Sequence, residues 1–69
     1  MKHIFVINPT AGKSNAADSL QPHLRTLFAG REEELEIYLT TGAGDATRFV
    51  RERCASSNGE HLRFYSCGG

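Results

Sequence analysis

The feature that most constrains this chain is the run Ile4-Phe5-Val6-Ile7, apolar without interruption and closed at once by Asn8-Pro9. Too short for a helix core, rich in β-branched residues and followed by a turn signal, it predicts a strand. A strand without polar alternation offers no face to water, which is the situation of a strand buried on both sides in a parallel sheet. Parallel neighbours cannot be joined by a hairpin, so the segments that follow must supply crossover helices.

The rest of the chain meets that requirement. After the polar stretch Thr10-Ala11-Gly12-Lys13-Ser14-Asn15, with Ser14 and Asn15 as capping candidates, residues 16–29 place Ala17, Leu20, Leu24, Leu27 and Phe28 at helical spacing. Gly30 then stops the helix. Pro22 interrupts it; an interior proline costs about 3 kcal/mol and removes a backbone donor, which predicts a kink or an irregular first turn. Leu35-Glu36-Ile37-Tyr38-Leu39-Thr40 alternates apolar with polar, as a second strand with one face less buried would.

The loop Thr41-Gly42-Ala43-Gly44 leads to Asp45, read as the cap of a second helix. Its apolar stripe is Ala46, Phe49, Val50 and Cys54, with Arg48, Arg51 and Glu52 outside it, and Ser56-Ser57-Asn58-Gly59 ends it. A third strand, His61-Leu62-Arg63-Phe64-Tyr65-Ser66-Cys67, runs into Gly68-Gly69. The order β-α-β-α-β predicts an α/β, Rossmann-like, three-layer arrangement on a parallel sheet with right-handed crossovers.

Composition narrows the partners. At 69 residues the chain is at most one small domain, a size that buries only about 60% of the unfolded surface. The formal charge is zero and no run of like charge exceeds Glu32-Glu33-Glu34, so the basic patch of a nucleic-acid binder is missing. Cys54 and Cys67 are too few and too poorly spaced for a zinc site or a disulfide framework and read as reduced thiols. No apolar stretch approaches the roughly 20 residues of a membrane span, and the first apolar run is too short for a signal-peptide core. The expected location is cytoplasmic, with peripheral contact at the inner face of a membrane at most.

Parallel α/β sheets bind ligands outside the carboxyl ends of their strands, where glycines admit a close approach and helix N-termini face the ligand. Here residues 8–13 follow the first strand, residues 40–45 the second, and Gly68-Gly69 the third. Consecutive glycines after a buried strand permit a positive φ and leave N–H groups free to cradle phosphate; Gly30 and Gly59 read as helix stops and Gly42 as relief for a turn. Gly12-Lys13-Ser14 looks like the end of a Walker A motif, yet the glycine demanded five positions before Gly12 is Ile7, so that reading fails.

Lys13 is either a phosphate contact or a solvated lysine, Asn8 a turn holder or a nucleotide contact, and Thr40 and Thr41 bond to backbone or to ligand. Asp45 reads as a helix cap rather than a metal ligand. His3, His23 and His61 share no motif spacing and are assigned surface or packing roles.

Taken together, Phe5-Val6-Ile7-Asn8-Pro9-Thr10-Ala11-Gly12-Lys13, Thr40 with Gly44-Asp45-Ala46 four to six positions on, and Cys67-Gly68-Gly69 resemble the start of the diacylglycerol kinase catalytic domain. That family includes bacterial diacylglycerol kinases and sphingosine kinases, and groups with NAD kinases and phosphofructokinases through a Gly-Gly-Asp-Gly-Thr loop. The resemblance covers all 69 residues and implies an N-terminal domain binding ATP with Mg²⁺, followed by a β-rich domain that admits the acceptor lipid. By resemblance, Asn8, Pro9, Thr10, Ala11, Gly12 and Lys13 lie by the nucleotide, Thr40 touches ATP, and Gly68 and Gly69 begin the phosphate loop.

The Asp-Gly-Thr that follows in the family, and its later acidic residues, are not in the sequence. Residues 1–69 are therefore expected to be a partial nucleotide-binding domain without the acceptor domain, inactive alone. The implied partners are ATP and a lipid hydroxyl such as that of diacylglycerol. The alternatives are an NAD-kinase-like phosphotransferase, or a non-catalytic nucleotide-binding or interaction module that self-associates into a homo-oligomer through exposed sheet edges.

Overall fold

A computed structural model of the chain describes residues 1–9, 16–42 and 44–67, with side chains for all of these except 16–18. Thr10, Ala11, Gly12, Lys13, Ser14, Asn15, Ala43, Gly68 and Gly69 lie outside the described residues, as does the side chain of Ala17.

Three strands, β1 (Lys2–Ile7), β2 (Leu35–Leu39) and β3 (Leu62–Cys67), alternate with two helices, α1 (Ala16–Leu27) and α2 (Asp45–Ala55), and a single 3-10 turn at Glu32–Glu34 precedes β2. The sheet is wholly parallel in the order β2-β1-β3. β1 is thus the central strand, as its unbroken apolar run requires, with Ile4 and Ile7 fully buried and Val6 nearly so.

Register explains how the faces divide. Phe5 sits between Ile37 and Tyr65, and Ile7 between Leu39 and Cys67; Val6 sits between Tyr38 and Ser66. Because neighbouring residues point to opposite faces, Phe5, Ile7, Ile37 and Cys67 share one face, where they pack with Leu20 and Leu24 of α1. Ile4, Val6, Glu36, Tyr38 and Phe64 share the other, which α2 covers: the Tyr38 ring stacks on Phe49 at 3.9 Å, and Arg53 reaches Glu36. From β1 the chain crosses to β2 on one side, then back across β1 to β3. Two crossovers of one hand in opposite directions must lie on opposite faces, which gives the helix–sheet–helix layering.

Two expectations need correction, at Leu27 and at Cys54, and two more gain detail, at Pro22 and in β2. Leu27 is 60% exposed, while Leu24 is 3%; α1 ends at Leu27, and Phe28 in the turn beyond closes over His3 and Phe5. Cys54 is exposed, and the stripe of Ala46, Phe49 and Val50 continues instead at Arg53, two turns on from Ala46. Pro22 lies past the first turn, inside α1, and the helix continues through it, with Thr26 Oγ1 donating to the Pro22 carbonyl at 3.0 Å. β2 is less buried than β1, as its alternation predicts, and the exposed residue is Leu39, while Glu36 and Tyr38 bond to α2.

The chain stops proposed for the helices hold. Gly30 has φ +85, and α2 gives way to Asn58 and Gly59, both at positive φ.

Candidate functional site

The three strands end together. The Asn8 N–H donates to the Cys67 carbonyl at 3.1 Å, and the Thr40 N–H donates to the Ile7 carbonyl at 2.9 Å, so each ladder is carried past its last strand residue. Asn8 and Thr40, from loops far apart in sequence, thereby line one hollow of about 150 Å³ together with Val6, Gly42, Ser66 and Cys67. β1 leads toward the α1 face, whereas β2 leads to α2 on the other; this reversal beside β1 is where open α/β sheets form a ligand crevice.

Of the nine residues expected at the nucleotide, the structure brings Asn8 and Thr40 together. Pro9 is half-buried and is not part of the lining. Thr10, Ala11, Gly12, Lys13, Gly68 and Gly69 fall outside the described residues. Gly42, Ser66 and Cys67 also line the hollow: in the sequence Gly42 is only relief for a turn, and Ser66 and Cys67 reach the hollow by pairing with Val6 and Ile7, a register invisible until the sheet is assembled. Burial raises the Cys67 thiol above its ordinary pKa.

Beside the hollow lies Asp45, only 9% exposed. It is not the cap of α2: Gly44 occupies that position at φ +81 and makes no side-chain cap. The Asp45 carboxylate instead accepts from the Tyr38 hydroxyl at 2.7 Å and the Thr41 N–H at 2.8 Å through Oδ2, and from Arg48 through Oδ1. Arg48 also donates to Glu52 at 2.9 Å and to the Tyr38 oxygen at 2.9 Å.

These donors hold the Asp45 carboxyl well below the usual carboxylate range, the Tyr38 hydroxyl most strongly, then the Thr41 N–H and Arg48. The same bond to Asp45 raises the Tyr38 phenol, and Asp45 with Glu52 raises the Arg48 guanidinium.

Mg²⁺ does not fit this arrangement. No group of three His, Cys, Asp or Glu among the described residues can hold a metal ion, and both Asp45 oxygens already face protein donors, whereas Mg²⁺ needs free oxygen ligands. A larger cavity of about 450 Å³ lies between α2 and β3, walled mainly by Val6, Ala46, Val50 and Phe64. It shares Val6, Ala46 and Ser66 with the hollow but extends from there along the flank of the sheet, whereas Asn8, Thr40 and Gly42 line the smaller, more polar hollow alone, which is the candidate site.

The fold is a parallel α/β domain whose candidate site lies at the carboxyl ends of its strands. The chain belongs to the diacylglycerol kinase catalytic domain family, whose model matches residues 2–69, a family of kinase type. No curated protein and no solved structure matches the chain. No helix among the described residues is long and apolar enough to cross a membrane.

Proposed function

We propose that the chain is the ATP-binding part of a lipid kinase that transfers the γ-phosphoryl group of ATP to a lipid hydroxyl such as that of diacylglycerol. The observation that carries this reading is the convergence of Asn8 and Thr40 on one hollow at the strand ends, tied there by the bonds to Cys67 and from Thr40 to Ile7. Family membership supports the kinase chemistry.

In this reading Asn8, Pro9, Thr10, Ala11, Gly12, Lys13, Thr40, Gly68 and Gly69 surround the nucleotide. The Asn8 amide and Thr40 hydroxyl are neutral groups suited to orienting it, and the glycines and Lys13 suit the phosphates. Phosphoryl transfer depends mainly on positioning and electrostatics: the lipid oxygen bonds to the γ-phosphorus, the bond to the β,γ-bridging oxygen breaks, and ADP leaves. The base that takes the hydroxyl proton, the ligands of Mg²⁺ and the acceptor-binding part are assigned to none of the described residues; Mg²⁺ commonly enters such sites on the substrate phosphates.

The test is transfer of label from γ-labelled ATP by the whole kinase of which residues 1–69 form the ATP-binding part, offered diacylglycerol in mixed micelles or NAD in solution. Label in the organic extract, dependent on diacylglycerol, is the expected result. Label on NAD contradicts the lipid acceptor, and no transfer to either contradicts the kinase reading.

A further inference from the structure

Asp45 is a nearly buried acid that does not cap its helix, and its two oxygens accept from different parts of the chain. Oδ2 takes Tyr38 at the end of β2 and the backbone of Thr41 in the turn; Oδ1 takes Arg48 from the first turns of α2. Its partners are themselves braced. The Tyr38 ring lies flat on Phe49, with 2° between the ring planes, and Arg48 is held from behind by Glu52. A turn that needed only a cap would be satisfied by one donor to one oxygen. Here a carboxylate with paired charge and a braced tyrosine fixes one backbone N–H.

That N–H belongs to the residue between Thr40 and Gly42, both of which line the strand-end hollow with Asn8. The carboxylate has no oxygen to spare for a ligand, so any effect on binding passes through the turn. We propose that Asp45 is a positioning residue for the nucleotide site, setting the placement of residues 40–42 against Asn8 through the Thr41 N–H, with Tyr38 and Arg48 setting the placement of Asp45. This rests on the nucleotide reading of the hollow given above.

The experiment uses the full 69-residue chain, Mg-ATP as probe, and the variants Asp45→Asn and Tyr38→Phe. Asparagine keeps the shape but loses the charge and turns an NH₂ toward the donors; phenylalanine keeps the stack on Phe49 and removes one bond to the carboxylate. For Asp45→Asn the Thr41 amide proton shifts and exchanges faster, the amides of Phe5 and Tyr65 stay in place, and the ATP Kd rises about tenfold. For Tyr38→Phe the Kd rises about threefold. A lower Tm with an unchanged Kd in both variants overturns the proposal and leaves Asp45 as a fold stabiliser only. Should Asp45→Asn fail to fold, an unchanged Kd in Tyr38→Phe is the overturning result. No ATP binding by the parent chain overturns the nucleotide reading itself, and the positioning role falls with it.

Discussion

The backbone N–H of Asn8 bonds to the carbonyl of Cys67 at 3.1 Å, one residue beyond the last β1–β3 pair. The residue that follows the first strand and the last residue of the third are thereby fixed side by side, although 59 positions separate them in the sequence. The sheet is what makes them neighbours, so the integrity of the site depends on the packing of β1.

Leu24 and Leu27 occupy similar positions in the helical pattern of α1 but opposite environments in the structure. Truncating a buried leucine costs about 2–5 kcal/mol, comparable with the whole stability of a chain this size, about 0.05–0.15 kcal/mol per residue. Leu24→Ala is expected to abolish cooperative urea unfolding followed by circular dichroism. Leu27→Ala is expected to change stability by about 0.5 kcal/mol or less. Equal losses would refute the assigned face of α1.

Gly44 and Gly42 separate conformation from space. Chain neighbours aside, no atom of the described residues lies within 4 Å of where a Cβ would stand at either, but of the two only Gly44 has a positive φ, +81. Gly44→Ala is expected to destabilise by about 1–2 kcal/mol, whereas Gly42→Ala is expected to be neutral or to stabilise by up to about 1 kcal/mol. Thermal melts of the two variants measure the contrast.

The lowered pKa of Asp45 sets the sign of one pH dependence. A carboxyl whose folded pKa lies below its unfolded value near 4 stabilises the fold fully above that value and loses the contribution as pH falls through the folded pKa. The melting temperature should therefore hold from neutral pH down to about 4 as far as Asp45 is concerned, then fall. In Asp45→Asn the melting temperature is lower at neutral pH and the acid fall is shallower. An unchanged acid limb in the variant would show that Asp45 does not gain these donors on folding.

Cys54 is exposed, and Cys67 is half-buried with its thiol pKa raised. Since the thiolate is the reactive form, an aromatic disulfide reagent at neutral pH should label Cys54 first and Cys67 more slowly in the folded chain. The two rates should converge in denaturant. Faster labelling of Cys67 would contradict the burial of the strand end.

Much of this architecture is legible in the amino-acid sequence. The unbroken run at Ile4 announces a central parallel strand, and the two helical stripes between strands announce crossovers; both follow from local pattern. The convergence of Asn8 and Thr40 was legible because parallel strands end on one edge. The role of Asp45 was not, because capping is a local signal and the bond to Tyr38 comes from the strand before it, set by the packing of α2 on the sheet. Ser66 and Cys67 were hidden for a related reason, since only the register against Val6 and Ile7 puts them at the hollow. Leu27 and Cys54 show the limit of spacing alone: each sits at the border of a stripe, and the neighbours Phe28 and Arg53 take the inward places.

The most direct test of the nucleotide site is a titration of the ¹⁵N-labelled chain with Mg-ATP, followed by amide chemical shifts. Shifts concentrated at Asn8, Thr40, Gly42, Ser66 and Cys67, with Lys2, Leu35 and Leu62 at the far edge of the sheet unmoved, are the predicted result. Shifts confined to the flank cavity around Val50 and Phe64, or none at millimolar ATP, would contradict it.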